Sequence, residues 1–360
     1  MKILYGVQGT GNGHVTRARI MAQAFAEAGI QVDWVFSGRP RADFFDMQAF
    51  GDFQCYRGLT FQVKSGRILY LKTAMTSNIR QLKRDIDKVN VNDYDFIIND
   101  FEPISAWAAK RAGKKVIGLS HQNSFHYDIP KKGNNFLIDW FMRNFAPATL
   151  PIGFHWHHFN QPILPPLVEP SHYINESLAK HYLVYLPFSD VADIEPQLRK
   201  FPDYQFYIYQ NIPAAIDNEN IHLRPFSREG FQQDLHRCEG VICSAGFELP
   251  SEAIQLGKKL LVQPVAGQME QQSNALALSQ LGYGSSTNIL SEETIRRWLP
   301  LTKPSPVIYP NVAKALVEWL IRTKGEKFAE FQQTMWNKIP QQAINEASTL
   351  LTQPAVIQEL

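Results

Sequence analysis

The sequence predicts an α/β protein of two doubly wound, Rossmann-like domains facing each other across a cleft, with C-terminal helices crossing back to the first domain. Three observations predict it. The chain opens with an apolar strand, a Gly-rich turn, an amphipathic helix and a second strand, the start of a doubly wound domain. Four prolines (Pro162, Pro165, Pro166 and Pro170) crowd into 161–170, a density that stops helices and central strands. The alternation of strand and helix then begins a second time. A chain of 360 residues is also long for one core, so two domains are its natural division.

Taken in order, residues 2–7 form a strand that ends in Gln8-Gly-Thr-Gly-Asn-Gly-His14, and a helix follows over 15–28, stopped by Gly29. Residues 32–37 form the next strand. A helix is expected over 71–89, a buried strand over 95–99 ending at Asp100, and a helix over 104–111. A strand over 115–120, a helix over 136–145 and a strand over 149–155 complete an N-terminal domain of residues 1–160. The proline-rich linker is placed at 161–180. A second domain, 181–310, has strands over 182–186, 205–209, 221–224, 240–243 and 259–263. Its helices are expected over 191–200, 227–237, 249–256, 271–281 and 292–299. From 311 to 360 the pattern is helical, with a break near Pro340.

Composition narrows the function. Hydrophobic residues at 44% against 19% charged describe a folded globular chain. With 36 basic and 34 acidic residues the net charge is +2, which gives no footprint for nucleic acid. Cys55, Cys238 and Cys243 have neither metal-ligand spacing nor an even number for a disulfide framework. A cytoplasmic setting is therefore expected. The N-terminus enters a strand at once, without a signal-peptide layout. No apolar run approaches the roughly 18 residues of a membrane span. Peripheral contact with a membrane remains open.

The Gly9–Gly13 turn departs from two phosphate loops. The dinucleotide fingerprint requires glycine where His14 stands, and the P-loop's Gly-Lys-Ser/Thr ending is missing. What remains is a turn that brings substrate against backbone, followed by a histidine at a helix start. A helix N-terminus disfavours the imidazolium, so His14 reads either as a general base or as a residue that caps the helix. Asp100 ends another strand at the same sheet edge, where it either orients the imidazole or caps the helix after Pro103. Glu102 shares the orienting role or contacts an acceptor. His121, His126 and Tyr127 stand where this sheet opens, as acceptor contacts or as plain loop residues.

The other informative stretch is 241–275, read as strand, Ser-Ala-Gly turn, helix with Glu252 near its start, strand, and a polar loop ending in Glu270-Gln271. A strand feeding a helix through such a turn offers backbone N–H groups and a positive helix end to an anion. A carboxylate one turn on suits the paired hydroxyls of a ribose. His155-Trp-His157-His158 looks metal-like, but its spacing fits no zinc motif. No Asp-x-Asp motif is present, and no metal or cofactor is expected. The apolar helix at 136–145, with Lys131, Lys132 and Arg143 nearby, reads either as a membrane-surface element or, preferably, as a helix buried between the domains.

These residues resemble the GT-B-fold glycosyltransferases, especially the UDP-glycosyltransferases and the MurG group of lipid-acceptor enzymes. The resemblance covers most of the chain. It rests on Gly11-Asn-Gly-His14, on Asn99-Asp100 before an Ala-rich helix, and above all on two segments in correct order and separation. Those are Ser-Ala-Gly-Phe-Glu-Leu-Pro-Ser-Glu-Ala at 244–253 and Glu-Gln-x-x-Asn-Ala at 270–275. The chain is most similar to a bacterial and archaeal group that shares the Gly-Asn-Gly-His turn and the Gly-Phe-Glu-x-x-x-Glu segment.

The resemblance implies transfer of a hexose-type sugar from a nucleoside-diphosphate sugar, a UDP-sugar as co-substrate, to an acceptor hydroxyl. The acceptor would be a sugar, a lipid-linked group or a small molecule, and the setting cell-envelope glycan or glycolipid synthesis. His14 would be the base with Asp100 as its orienter, and single displacement would invert the anomeric centre. Ala245, Gly246 and Phe247 would meet the diphosphate, Ser189 would add a phosphate contact, and Phe226 and Ser227 would lie by the nucleobase. Glu252 would hold the ribose, and Glu270 and Gln271 the transferred sugar. Gly11, Asn12, Gly13, Glu102 and His121 would line the acceptor side. The chain departs from the family at its Ser-Ala-Gly turn, where many relatives carry His-Gly-Gly, and at Glu270, where plant members carry aspartate. Rival readings are a nucleotide-sugar epimerase or hydrolase of the same fold, and a non-catalytic nucleotide-sugar-binding protein. A nicotinamide-linked oxidoreductase lacks the glycine it needs.

Overall fold

The computed structural model describes residues 1–58, 63–64, 67–68 and 79–352. The first half alternates β1 (Lys2–Gln8), α1 (Asn12–Glu27), β2 (Gln31–Ser37), β3 (Gln54–Tyr56), α2 (Ile79–Lys88), β4 (Phe96–Asp100), α3 (Pro103–Arg111) and β5 (Val116–Leu119). A 3-10 turn over His121–His126, α4 (Phe136–Phe145), β6 (Leu150–Phe154) and β7 (Ile163–Leu164) follow. The strands form one parallel sheet in the order β3-β2-β1-β4-β5-β6-β7. That reversal of direction at β1 is the mark of a doubly wound sheet.

The second half contains β8 (His181–Tyr185), α5 (Val191–Leu198), β9 (Gln205–Gln210), β10 (Ile216–Asn218), β11 (Ile221–Pro225), α6 (Arg228–Arg237), β12 (Gly240–Ser244) and α7 (Glu248–Gln255). Next come β13 (Lys259–Gln263), α8 (Met269–Gln280), β14 (Ser285–Ser286) and α9 (Glu292–Trp298). Its order is β10-β11-β9-β8-β12-β13-β14, again reversing at the first strand, with β10 an antiparallel edge. The central strands of both sheets are continuous apolar runs, as burial on two faces requires.

Three helices end the described chain: α10 (Val312–Thr323), α11 (Phe328–Asn337) and α12 (Gln341–Thr352). Helix α10 packs on α1, and Trp336 of α11 donates its indole N–H to the Ile163 carbonyl at 2.6 Å. The C-terminal segment thus returns to the first sheet.

Some boundaries differ from the sequence reading, each for a physical reason. Helix α1 begins at Asn12 rather than 15, because the Gly11 N-cap leaves the following residues free to turn helical at once. His14 is therefore inside the first turn. Residues 163–164, expected in the linker, are the edge strand β7, hydrogen-bonded beside β6. The 71–78 part of the helix expected over 71–89 lies outside the described residues. Helix α4, preferred above as a buried interdomain helix, is instead a surface helix: Phe136, Leu137 and Trp140 are 77, 61 and 65% exposed. Its Met142 and Phe145 enter the core, with Ile138 and Phe141 half-buried against it.

Candidate active site

Strand register assembles the N-terminal half of the site. Val7 pairs with Asp100 between β1 and β4, so the Gly turn after β1 and the end of β4 share one sheet edge. Helix α1 leaves that turn with His14 and Arg17 three residues apart on one face. His14 Nδ1 lies 2.7 Å from Asp100 Oδ1. A proton on Nδ1 shared with that carboxylate leaves Nε2 to accept one from a substrate. Asp100 is fully buried and receives Arg17 through two bonds, Nε to Oδ2 at 2.9 Å and Nη2 to Oδ1 at 2.8 Å. Burial pushes the Asp100 carboxyl upward, but the charges and hydrogen bonds of Arg17 and His14 outweigh it and hold it below the usual range. A buried carboxylate with two partners is ionised and fixed in place.

The second domain closes onto this pair. Arg17, itself buried, also forms an ion pair through Nη1 with Glu248, the first residue of α7. The Glu248 carboxylate sits so close to Gly13 that a Cβ there would collide with it. Further contacts cross the cleft. Trp156 donates its indole N–H to Ser251 Oγ at 2.8 Å, and Gln122 donates to Glu270 at 3.0 Å. The Lys132 N–H donates to Ser273 Oγ at 3.0 Å. Tyr185 hydrogen-bonds the Asn12 side chain, which also accepts from Arg39 at 3.1 Å.

In the second domain, β12 ends at Ser244, and Ala245, Gly246 and Phe247 turn the chain into α7. A Cβ on Gly246 would meet open space. Glu252, one turn into α7, is partly buried and accepts from Gln232 Nε2 at 2.8 Å. Burial pushes its carboxyl up to about 7, with Glu169 adding to the rise and the Gln232 hydrogen bond and Arg228 opposing it. Phe226, at the end of β11, is half exposed with its ring edge to Tyr185. Ser189 follows β8, its N–H bonded to the Leu186 carbonyl. Among the described residues no three His, Cys, Asp or Glu side chains converge as a metal ion would need.

A family model described as glycosyl transferase family 1 matches residues 1–301. The chain belongs to this family. Its fold is similar to that of SnogD from Streptomyces nogalater, at 15% identity over 98% of this chain and 99% of that one, with a TM-score of 0.55. The glycotransferase of kitacinnamycin gives 12% identity over 97% and 96% and a TM-score of 0.61. SsfS6 from Streptomyces sp. SF2575, complexed with thymidine diphosphate, gives 12% over 97% and 96% and a TM-score of 0.56. No curated protein sequence matches. The chain is thus a glycosyltransferase of the GT-B architecture, two Rossmann-like domains around a cleft.

Several residues of this glycosyltransferase differ from their sequence reading. Glu102, taken as an orienter or acceptor contact, is fully buried and is the N-cap of α3. Its carboxylate accepts from the Ile104 and Ser105 N–H groups and from the Ser37 and Ser105 hydroxyls, so no lone pair is left for a substrate. Burial nonetheless raises its carboxyl above the usual value. Asp100 is consequently not the cap. His121, taken as an acceptor contact, has no exposed surface. Its Nδ1 meets the Phe154 carbonyl and its Nε2 meets Asn274 Oδ1, both at 2.8 Å, and burial lowers its pKa. It is an interdomain strut.

The donor side needs similar revision. The Gly246 N–H is taken by the Ser244 carbonyl at 2.8 Å and is not offered to the cleft. Ser227 caps α6, accepting from the Gly230 N–H at 3.1 Å. Gln271 is buried, its side-chain oxygen accepting the Val265 N–H. It therefore shapes the loop before α8. Glu270, by contrast, is only partly buried at the start of that helix.

Sequence reasoning missed Arg17, Glu248 and the Asn274–His121 link. Arg17 carried a signal, a charged residue between Val15 and Ala18 on the buried stripe of α1. Asn274 donates to the Ala245 carbonyl at 3.1 Å, which ties the donor turn to the first domain.

Proposed function

We propose that this glycosyltransferase moves a hexose-type sugar from a UDP-sugar to an acceptor hydroxyl by single displacement, inverting the anomeric centre. The observation that carries the reading is the His14–Asp100 contact of 2.7 Å at the sheet edge facing the donor turn. His14 Nε2 takes the acceptor proton as the hydroxyl oxygen attacks the anomeric carbon, and the sugar–phosphate bond breaks to release the diphosphate. The N-terminus of α7 binds that diphosphate. Glu252 accepts from the ribose hydroxyls, Phe226 lies against the pyrimidine, and Ser189 adds a phosphate contact. Glu270 holds a hydroxyl of the transferred sugar. The thymidine diphosphate of SsfS6 supports a pyrimidine nucleoside diphosphate in this fold. No metal or cofactor enters this route.

The exposed Phe136, Leu137 and Trp140 of α4, flanked by Lys131, Lys132 and Arg143, support a peripheral seat on an anionic membrane and a lipid-linked acceptor. No described helix is long and apolar enough to cross a membrane.

The test is incubation with UDP-sugars in the presence and absence of acceptor alcohols, following UDP release and product anomer by NMR. Acceptor-dependent UDP release with inverted product is expected, and His14→Ala should abolish it while UDP-sugar binding persists. Sugar isomerisation or rapid UDP release without acceptor would instead support the epimerase or hydrolase reading.

A further inference from the structure

Arg17 stands between two carboxylates that belong to different domains. Asp100, at the end of β4, holds its Nε and Nη2, while Glu248, at the start of α7, holds its Nη1. Its Nη2 also lies 2.8 Å from His14 Nδ1, on the ring atom that faces Asp100. Gly13 has no side chain where the Glu248 carboxylate enters, so the turn before α1 is shaped to admit that group. We propose that Arg17 and Glu248 are positioning residues that couple domain closure to the His14–Asp100 base, which becomes fully competent only once Glu248 has crossed the cleft. The inference rests on the reading of His14 as the base.

Charge accounting gives the reason. In an open cleft Asp100 and Arg17 cancel, and an imidazolium at His14 would face a guanidinium with no net charge to balance it. Closure adds Glu248. The cluster then holds two carboxylates and one guanidinium, and it becomes neutral when His14 has taken the acceptor proton. Glu248 thus stabilises the charge that develops at His14 during transfer, and it does so from the domain that carries the donor. Acceptor activation before the donor domain is seated is thereby disfavoured.

Other titratable groups near the cluster do not replace Glu248. Tyr5, on β1 beneath Asp100 and Arg17, is buried and its phenol is pushed well above its usual range, chiefly by burial. Glu102 on α3 is saturated by Ser37, Ser105 and Ile104. His121 has its two nitrogens on Phe154 and Asn274. Arg39 is turned to Asn12.

The experiment compares the full-length protein with Glu248→Gln and Arg17→Lys, by the pH dependence of kcat and by NMR titration of the His14 ring with UDP bound. The ring titration needs no turnover, so it separates failure of this inference from failure of the transferase reading. Glu248→Gln keeps shape and sits on a partly exposed side chain, so folding should survive. Its acid limb and its His14 ring titration should both move about one pH unit lower, with kcat at neutral pH down about tenfold and donor KM little changed. Arg17→Lys, which keeps the charge, should retain the wild-type midpoint. Midpoints that stay in place in Glu248→Gln, or a change confined to donor KM, would overturn the coupling.

Discussion

Phe247 lies face to face with His121 across the domain boundary, ring centroids 4.0 Å apart and planes 6° from parallel. Trp156 stacks on the same phenyl ring at 5.1 Å. Phe247 belongs to the turn before α7, whereas His121 and Trp156 come from the first half, so one buried side chain joins turn and partner domain. Phe247→Ala removes that ring from a closed aromatic site. We expect a loss of about 3–5 kcal/mol in chemical denaturation, partly through undocking of the domains. A loss below about 1 kcal/mol would mean that the stack is dispensable.

The histidines at 155, 157 and 158 each accept a backbone N–H at Nδ1. Nδ1 of His155 accepts the Trp156 N–H, that of His157 the Phe159 N–H and that of His158 the Asn160 N–H, all at 2.9 Å. A protonated Nδ1 would face a donor in every case. His157 Nε2 lies 3.0 Å from Ser348 Oγ on α12, so the neutral ring links the first domain to the C-terminal helices. Burial, and then His158, pull the His157 pKa down to about 4. The folded value lies below the unfolded one, so this stabilisation is complete above about pH 6.5 and is lost as pH falls toward 4. Its size is roughly 3 kcal/mol. Urea denaturation from about pH 7 to pH 4.5 should show the decline. His157→Asn, which retains an acceptor and a donor, should make it shallower, with His155 and His158, also lowered by burial, carrying the remainder.

The fold was legible because both sheets write it locally: apolar strands, a Gly turn, an amphipathic helix, twice over. The proximity of His14 and Asp100 followed from the same logic, since α1 starts and β4 ends at the same edge of one parallel sheet. Glu102 was legible in principle. Pro103 occupies the first helical position, which makes the residue before it the N-cap. Long-range partnerships were not legible. Arg17 meets Glu248 at a sequence separation of 231 and His121 meets Asn274 at 153, and no local period encodes either pair. The inward turn of Gln271 was hidden for another reason: a polar side chain in a loop motif reads the same whether it faces a sugar or the Val265 N–H.

Glu252 should give donor binding a pH dependence. Burial pushes its carboxyl up to about 7, so its charge forms within the working range, and in the proposed site only the carboxylate could accept from both ribose hydroxyls. Affinity for a UDP-sugar should rise as pH increases from about 6 to 8, by up to about tenfold, when measured by calorimetry. A UDP-sugar is the appropriate probe because its diphosphate diester does not titrate there. Glu252→Gln should bind more weakly at pH 8 and show no such slope. A slope that persists in the variant would move the titrating group elsewhere.

Helix α4 gives the membrane proposal a direct test. Its exposed Phe136, Leu137 and Trp140 lie in the first five residues of the helix, and Asn135 caps it by accepting from the Leu137 and Ile138 N–H groups. The apolar side chains are therefore held at a fixed helix start rather than on a fraying end. Lys131 and Lys132 precede the helix and Arg143 lies in its last turn, so cations flank an apolar wedge. Anionic vesicles should sediment the protein while neutral vesicles should not, because each cation near an anionic surface adds about 1 kcal/mol to a small apolar term. Phe136→Ser with Trp140→Ser should reduce the bound fraction about tenfold without changing UDP-sugar affinity, since neither side chain reaches the donor turn. Equal sedimentation of wild type and variant would remove α4 from the membrane and leave its apolar face for another partner.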